Sequence, residues 1–258
     1  LGFEFEGTKV RLTSSLGIAL LPEHARRPEE WVARADIAMY AAKHAGKHAG
    51  KNGWRVFREE LGQSAYMLAQ LSWAERIQAA LEQDLFELHF QGIYTTGTPV
   101  LSHLEVLLRM KDPEHPGQYL MPGEFIPAAE RNGRILDIDR WVLAKAIETL
   151  RTRDGQGIQT TFFVKLTADS IQDATMLPWL GEQLRKAGLK NGQIVLEMTE
   201  SKVVTLLRPA QEFVTAWKKL GGRFALEQFG SGLNSFQLLN HVDADYLKID
   251  RSYMAQLP

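Results

Sequence analysis

From residue 85 onwards the chain repeats one pattern: a short apolar run of strand length ends in polar or charged residues, and a helical segment follows. The run at 104–109 carries Glu105 near its start and Arg109 at its end. Buried parallel strands are almost continuously apolar, so a charge within one is either a paired structural charge or part of a site. Repetition favours a site, and the pattern recurs at 164–167, 196–200, 226–230 and 247–250. Charges at the ends of parallel strands predict a ligand site at one face of an α/β barrel.

Composition excludes several classes of function. The chain has 258 residues, 45% of them hydrophobic, which suffices for one large α/β domain or two smaller ones. A net charge of −1 argues against broad electrostatic binding of a nucleic-acid polymer. The absence of cysteine excludes disulfides and fits a cytoplasmic location. No apolar run has the length of a membrane span, so we expect no membrane insertion. Because the chain opens at Leu1 in a strand-like pattern, we expect a fragment of a longer protein.

Hydrophobic periodicity predicts an alternation of strands and helices. Strands are predicted over 85–94, 100–110, 160–167, 193–199, 223–229 and 246–249. Helices are predicted over 125–132, 139–152, 171–186, 209–220 and 234–239, with a loop rich in Pro and Gly over 111–123. Repeated units of this kind give a parallel sheet. Before them, a helix is predicted to open at Pro28, and residues 54–57 to form a short strand.

Residues 1–58 resemble the C-terminal part of a GGDEF domain, the diguanylate cyclase family. The resemblance rests on three ordered motifs: Thr-Ser-Ser-Leu-Gly-Ile-Ala at 13–19, Ala-Asp-Ile-Ala-Met-Tyr-Ala-Ala-Lys at 35–43 and Gly-Lys-Asn-Gly at 50–53. The Gly-Gly-Asp-Glu-Phe signature is not in the sequence, so this segment implies no cyclase activity. Residues 59–84 are predicted to form a connector helix between two domains.

Residues 85–258 resemble an EAL domain, the cyclic di-GMP phosphodiesterase family. The main matching motifs are Phe-Glu-Leu-His-Phe-Gln at 86–91, Glu-Val-Leu-Leu-Arg at 105–109, Pro-Gly-Glu-Phe-Ile-Pro-Ala-Ala-Glu at 122–130, Leu-Glu-Met-Thr-Glu at 196–200, Phe-Gly-Ser-Gly at 229–232 and Leu-Lys-Ile-Asp-Arg-Ser at 247–252. The resemblance implies a TIM-like α/β barrel whose first strand is antiparallel, preceded by the partial α/β GGDEF-like segment. The family continues with two further strands, so we expect the domain to be truncated at its C-terminus.

The residues that hold metal in active members of the family have changed here. Those members hydrolyse one phosphodiester bond with metal ions bound by acidic and amide oxygens, which hard cations prefer. Glu105 and Glu197 keep two of these positions. On the third strand, active members carry an Asn where this chain carries Lys165, whose ammonium has no lone pair and repels a divalent cation. On the fifth strand, active members carry Asp-Asp where this chain carries Glu227-Gln228. We therefore predict that the domain uses no metal and is not a phosphodiesterase.

The leading prediction is a metal-free receptor for cyclic di-GMP. Arg109 would fork onto a phosphate, and Asp139, at the start of its helix, would accept from a guanine edge or cap that helix. Lys165 would replace the metal near a phosphate or near Glu105 and Glu197; the alternative is that Lys165 simply pairs with Glu197 and that ligand binding has been lost. Lys248, which helps hold the attacking water in the family, is retained. The predicted ligand-binding residues are Gln91, Glu105, Leu107, Leu108, Arg109, Met110, Asp139, Lys165, Glu197, Gln228 and Lys248.

Two other functions stay open at this point. One is weak phosphodiesterase activity with Mg²⁺ or Mn²⁺ in a rearranged shell of Glu105, Glu197 and Glu227, where waters replace lost ligands. The other is a protein-interaction scaffold that binds no nucleotide. A degenerate GGDEF–EAL pair with the Glu-Val-Leu variant resembles the FimX-type receptors of bacteria, which act on type IV pilus assembly. Those receptors bind a PilZ-domain protein, so the resemblance implies such a partner.

Overall fold

A computed structural model describes residues 2–5, 8–11, 14–20, 34–35, 38–39, 42, 53–58, 73–97, 100–113, 115–232 and 235–254. The chain divides into two compact units, Leu1–Glu75 and Arg76–Pro258. None of the helices in these ranges combines the length and the apolar character needed to span a lipid bilayer.

The N-terminal unit contains two small sheets. Strands β1 (Gly2–Phe5) and β2 (Thr8–Arg11) pair in antiparallel fashion. Strands β3 (Leu16–Ile18) and β4 (Trp54–Val56) pair in parallel fashion, and β4 confirms the predicted strand at 54–57. A Cβ atom at Gly17 would lie 1.8 Å from the carbonyl oxygen of Ala35, so only glycine allows this close contact. Residues 34–35, 38–39 and 42 are helical, whereas the predicted helix start at Pro28 lies outside the described residues.

The C-terminal unit is built on a seven-stranded sheet. Its strands are β5 (Phe86–Tyr94), β6 (Leu101–Lys111), β7 (Tyr119–Leu120), β8 (Phe162–Lys165), β9 (Ile194–Thr199), β10 (Arg223–Phe229) and β11 (Tyr246–Ile249). The order along the sheet is β11-β10-β9-β8-β6-β5, and β7 pairs with the end of β6. Strand β5 runs antiparallel to β6, whereas β6, β8, β9, β10 and β11 are parallel. The six predicted strands and the antiparallel first strand of the TIM-like fold are thus confirmed.

Helices connect these strands. They are α1 (Pro122–Arg131), α2 (Ile135–Gly155), α3 (Ala168–Gln172), α4 (Met176–Ala187), α5 (Glu200–Thr205), α6 (Leu207–Lys219), α7 (Ser235–Leu238) and α8 (Arg251–Met254). Residues 73–82 are also helical and coincide with the C-terminal part of the predicted connector helix; the earlier part, from 59 to 72, lies outside the described residues.

Several predicted helix boundaries are wrong, and two of the differences have a local cause. Helix α1 begins at Pro122 within the predicted loop, since Pro suits the first helical position and the Glu124 Oε1 accepts from the Met121 amide at 2.9 Å. The helix predicted over 171–186 is two helices, because the Asp173 Oδ1 accepts from the Thr175 amide at 2.9 Å in a turn. Strand β7 and the short helices α5 and α8 are absent from the sequence prediction.

On the inner face of the sheet, apolar side chains form a layer that precedes the C-terminal ends of the parallel strands. The buried side chains of Phe163, Val195 and Ala225 form one cluster, and the partly buried Ile93 and Tyr246 pack against it. We call these five residues the apolar layer. Their strand neighbours on the opposite face, such as Phe162 and Phe224, are fully buried as well. Burial on both faces fixes the register of the strands. The register in turn fixes the positions of the side chains two residues further along each strand.

Candidate functional site

Two residues beyond the apolar layer, the same inner face becomes charged. Because side chains alternate along a strand, the residues at this level point to the same side as Phe163 and Val195. We call the following set the charged layer: Glu105 on β6, Lys165 on β8, Glu197 on β9, Glu227 on β10 and Lys248 on β11. Lys165 is directly opposite Glu197 in the β8–β9 register. The structure thus brings together charged residues that the sequence predicts on five neighbouring strands.

Lys165 contacts all three carboxylates of the charged layer. Its Nζ lies 3.1 Å from the Glu105 Oε1, 3.2 Å from the Glu197 Oε1 and 2.5 Å from the Glu227 Oε1. The Lys165 side chain is 49% exposed, so its ammonium covers the carboxylates from the solvent side. The predicted pairing of Lys165 with Glu197 is therefore present and extends to Glu105 and Glu227, whereas the role of Lys165 in ligand binding stays a prediction.

Lys248 contacts the same carboxylates. Its Nζ lies 3.0 Å from the Glu105 Oε2, 2.8 Å from the Glu197 Oε2 and 3.0 Å from the Glu227 Oε1. Glu197 lies between the two ammonium groups, and its side chain is fully buried. Its Oε1 accepts no hydrogen bond from the described residues, so the contact with Lys165 is an ion pair without hydrogen-bond geometry.

The charges of this layer perturb one another. Burial disfavours the ammonium of Lys165, but the surrounding carboxylates, Glu197 first, outweigh it and raise the Lys165 pKa far above its usual value. The pKa of Lys248 is raised for the same reason. Burial also disfavours the ionised form of Glu105, yet the two lysines lower its pKa. Burial and the nearby Glu227 raise the pKa of Glu197. Both lysines therefore carry a positive charge throughout the physiological range.

The carboxylates have a spacing that a metal ion could use, but the lysines oppose it. One oxygen each of Glu105, Glu197 and Glu227 lies within 4.8 Å of the others. The Lys165 ammonium is already 2.5–3.2 Å from all three residues, where a cation bound by them would lie. An ammonium offers no lone pair and repels a divalent cation. The residues present therefore do not fit the metal of the family while Lys165 is protonated.

Arg109 lies further along β6 on the same face as Glu105. Its Nη1 donates to the Leu108 carbonyl at 2.7 Å, and no carboxylate within the described ranges forms an ion pair with it. A guanidinium without a carboxylate partner can offer its remaining donors to a phosphate. Leu107 shares this face, whereas Leu108 and Met110 alternate to the other face, and Met110 is only 1% exposed. The ligand contacts of the leucines and of Met110 stay predictions.

Gln91 is exposed on β5 and lies directly opposite Glu105 in the antiparallel register. The side chain therefore stands at the edge of the charged layer, where an amide can donate to a phosphate or pair with a base edge. Its contact with the ligand stays a prediction.

Asp139 does not open its helix, so the N-cap interpretation is wrong. Helix α2 begins at Ile135 and Asp139 lies within it, 6% exposed. Its Oδ2 accepts from the Thr167 amide at 3.0 Å, the Thr167 hydroxyl at 2.6 Å and the Ser170 hydroxyl at 2.6 Å. Burial nevertheless raises the pKa of Asp139. The carboxylate fixes the turn between β8 and α3, and its guanine contact stays a prediction.

Gln228 follows the charged layer in a left-handed turn. Its φ is 53°, and its side chain is exposed. The β10–β11 register passes from Leu226↔Leu247 to Phe229↔Ile249, so β10 carries one extra residue there. Such a bulge redirects side chains and is common next to functional sites. Here it separates Glu227, which points inwards to the lysines, from the exposed Gln228.

Two residues that organise this turn are absent from the sequence prediction. The Glu200 Oε2 accepts from the Gly230 amide at 2.8 Å. Glu200 is buried and is the first residue of α5, a different element from the turn. The Tyr253 hydroxyl donates to the Gly230 carbonyl at 2.8 Å from α8. Glu200 had a sequence signal, because it is an acidic residue directly after a buried strand. Tyr253 had none.

Comparison with known proteins identifies the family. Residues 74–258 match the EAL domain, and residues 2–49 match the diguanylate cyclase GGDEF domain. The chain is 30% identical to the bifunctional diguanylate cyclase/cyclic di-GMP phosphodiesterase MucR of Pseudomonas aeruginosa, over 99% of this chain and 36% of MucR. It spans about a third of the length of the curated relatives it matches.

Solved structures agree with the family match. The FimX EAL domain of Pseudomonas aeruginosa bound to cyclic di-GMP is 34% identical, with a TM-score of 0.66 over 71% of this chain and 73% of that chain. The FimX EAL domain of Xanthomonas citri in complex with the same nucleotide is 36% identical, with a TM-score of 0.68 over 75% of this chain and 74% of that chain. This chain therefore belongs to the EAL domain family, and a GGDEF-type segment precedes the EAL domain within it.

Proposed function

We propose that this EAL domain is a cyclic di-GMP receptor that binds the nucleotide without a metal ion and does not hydrolyse it. The observation that carries the proposal is the position of the Lys165 ammonium, 2.5–3.2 Å from the carboxylates of Glu105, Glu197 and Glu227. Two FimX EAL domains that resemble this chain, those of Pseudomonas aeruginosa and Xanthomonas citri compared above, are bound to cyclic di-GMP.

The role of Lys165 follows from the charge balance of the layer. Three carboxylates without a cation would repel one another and would repel the phosphates of the ligand. The ammonium groups of Lys165 and Lys248 offset most of that charge, as a metal does in the active enzymes. Lys165 is also the more exposed of the two lysines, 49% against 27%. It is therefore the one that a phosphate arriving from solvent can approach.

Hydrolysis needs more than charge neutralisation. A metal-bound water loses its proton near neutral pH, and the metal polarises the phosphoryl oxygen. The lysine ammonium supplies neither effect, because it cannot coordinate water as a Lewis acid and the pKa of Lys165 is raised far out of the range of a general base. The charged layer thus supports binding of the phosphate and leaves the phosphodiester bond intact.

Two measurements on the purified chain test the proposal. Calorimetric titration with cyclic di-GMP in chelator should show saturable binding. Incubation with Mg²⁺ or Mn²⁺ should yield no linear dinucleotide, as judged by chromatography. Metal-dependent production of the linear product that Glu105→Ala abolishes would refute the receptor proposal, and so would the absence of binding in chelator.

Weak phosphodiesterase activity is the second candidate, because the oxygens of Glu105, Glu197 and Glu227 have a spacing compatible with a metal ion. Relatives such as MucR of Pseudomonas aeruginosa and PdeR of Escherichia coli are named as cyclic di-GMP phosphodiesterases. In this case Lys165 would have to leave the carboxylates when metal binds. Titration with Mn²⁺ alone, followed by calorimetry, would then give a binding isotherm for the parent protein.

A PilZ-domain partner and control of type IV pili form the finer part of the proposal. They are supported by the likeness to the two FimX domains together with the implication of the FimX-type resemblance. Calorimetry with a PilZ-domain protein from the same genome, with and without cyclic di-GMP, tests this part. Binding of that protein with equal affinity in both cases would favour a scaffold that ignores the nucleotide.

A further inference from the structure

The turn that ends β10 is held from two sides by side chains of other elements. The Gly230 amide donates to the Glu200 Oε2 at 2.8 Å, and the Gly230 carbonyl accepts from the Tyr253 hydroxyl at 2.8 Å. Glu200 begins α5 after β9, and Tyr253 lies in α8 after β11. The polar backbone atoms of one glycine are thus fixed by side chains of α5 and α8, the helices that follow β9 and β11.

The conformation that is held in this way is unfavourable. Gln228 has a φ of 53°, the left-handed region that non-glycine residues seldom adopt. Such a residue persists only where its surroundings fix the backbone, and residues of this kind cluster at functional sites. Gln228 directly follows Glu227, whose carboxylate contacts both lysines of the charged layer. Release of the turn would therefore move a residue of the charged layer as well as Gln228.

A chain of hydrogen bonds places Tyr253 over the turn. The Asp250 amide donates to the Phe229 carbonyl at 3.0 Å, which ties the end of β11 to the end of β10. The Asp250 Oδ1 accepts from the Ser252 amide at 2.9 Å and thereby starts α8. The Tyr253 ring then lies against Gly230 so closely that a Cβ atom there would be 2.9 Å from the ring. Gly230 also has a φ of 92°, so no other residue suits this position.

We propose that Tyr253 is a positioning residue for the ligand site: its hydroxyl holds the Gly230 carbonyl, keeps Gln228 in the left-handed turn and so orients Glu227 and Gln228 towards cyclic di-GMP. The part of this inference that concerns the ligand rests on the proposed function. Tyr253 itself touches neither the charged layer nor Gln228 through any hydrogen bond in the described part of the chain; its hydroxyl bonds to Gly230 alone.

Tyr253→Phe removes this one hydrogen bond and keeps the ring. Loss of a neutral hydrogen bond of this type should raise the dissociation constant for cyclic di-GMP about three- to tenfold. Tyr246→Phe is the matched control, because its hydroxyl is also bonded, to the Arg223 Nη1 at 2.9 Å, but lies at the opposite end of β11. The control variant should bind with the affinity of the parent.

A second readout needs no ligand. In Tyr253→Phe the backbone amide of Gly230 should exchange its hydrogen faster than in the parent, as measured by NMR, and in Tyr246→Phe it should not. Faster exchange with weaker binding supports the proposal. Unchanged exchange overturns it, whatever the affinity, since weaker binding would then come from a direct ligand contact. Unchanged affinity overturns it as well. If the parent does not bind cyclic di-GMP, the proposed function fails, and the exchange rate alone decides whether Tyr253 holds the turn.

Discussion

The apolar layer and the charged layer share the strands β8, β9, β10 and β11, on which they lie two residues apart, and they differ completely in chemistry. The steps from one layer to the other are Phe163 to Lys165, Val195 to Glu197, Ala225 to Glu227 and Tyr246 to Lys248. Backbone hydrogen bonding continues through both layers in the same register. The sheet therefore supports either kind of side chain, and the difference between the layers reflects what each one does.

The two layers contribute differently to stability and to function. Burial of the apolar layer removes hydrocarbon surface from water, which directly favours folding. The charged layer places a fully buried Glu197 between two lysines, and such buried ion pairs are often no more stable than well-packed apolar residues. Because five charges need not add stability to the sheet, we attribute this layer to the proposed ligand binding. The largest effects on stability and on affinity should accordingly come from different layers.

Truncation in the apolar layer should have the largest effect. Phe163 is 3% exposed and packs edge-on against His103 and Tyr246, with ring centroids 5.4 and 5.0 Å away. Phe163→Ala should lower the free energy of unfolding by about 3–5 kcal/mol, because it leaves a cavity between the strands. Denaturant unfolding followed by circular dichroism measures this loss. A loss below about 1 kcal/mol would show that the apolar layer is not the core of the sheet.

Arg109→Ala should have the largest effect on affinity while the fold stays stable. The guanidinium has no carboxylate partner among the described residues, so its removal leaves no buried acid unpaired. Loss of a charge-assisted contact costs about 1.5–3 kcal/mol, or roughly ten- to a hundredfold in the dissociation constant for cyclic di-GMP. Arg208→Ala serves as the control, because Arg208 is exposed and pairs with Glu212 on α6. Calorimetry that gives both variants the same affinity would remove Arg109 from the site.

Substitution of Lys165 should have a smaller effect, because its charge is shared among three carboxylates. Lys165→Asn restores the ligand type of the family but removes the ammonium, so binding in chelator should weaken about three- to tenfold. Added Mg²⁺ or Mn²⁺ should restore part of the affinity of Lys165→Asn and none of that of Lys165→Ala, which has no oxygen to offer.

The control for this pair is Lys186→Asn, since Lys186 is exposed and pairs with Glu182 on α4. Its affinity should equal that of the parent with and without metal. If Lys165→Asn binds cyclic di-GMP as tightly as the parent in chelator, Lys165 does not replace the metal. A lower melting temperature with unchanged affinity would instead assign Lys165 a purely structural role.

The sequence predicts the charged layer well because the layer obeys a local rule. A period of two along each strand, with a charged residue within or at the end of each apolar run, places Glu105, Lys165, Glu197 and Lys248 on one face. The side-chain contacts within that layer follow once the strand order is correct.

The sequence predicts the surroundings less well because they depend on contacts between distant segments. Gly230 forms hydrogen bonds with Glu200 and Tyr253, which lie 30 and 23 positions away in the sequence. Asp139 looks like a helix N-cap in the sequence, yet its partners are on the turn around Thr167, 28 positions away. The helix and strand propensities of neighbouring residues carry no information on such distant pairs. Short helices and turn residues that depend on them are therefore not predicted from the sequence.

Asp139 offers the smallest and most specific test, since it is a buried charge held by neutral donors rather than by lysines. Burial raises its pKa above the ordinary value of 3.8, although the bonds from Ser170 and Thr167 oppose the shift. The folded state therefore binds a proton at pH values where the unfolded state does not, and ionisation of Asp139 lowers stability as the pH rises through that window. Relative to Asp139→Asn, the parent should become more stable as the pH falls from 7 to 4.

Denaturant unfolding of both proteins at several pH values in this range measures the difference, whose slope cannot exceed that of one proton, about 1.4 kcal/mol per pH unit. Asp137→Asn is the control on the same helix, because Asp137 is partly exposed and pairs with Arg134. A trend that both variants share would not come from the burial of Asp139. A difference for Asp139→Asn that is independent of pH would mean that the hydroxyls of Thr167 and Ser170 compensate fully for burial. Titration of Asp139→Asn with cyclic di-GMP then distinguishes a structural role of Asp139 from a contact with guanine. If Asp139 only fixes the turn between β8 and α3, the substitution should change the free energy of unfolding and leave the dissociation constant unchanged.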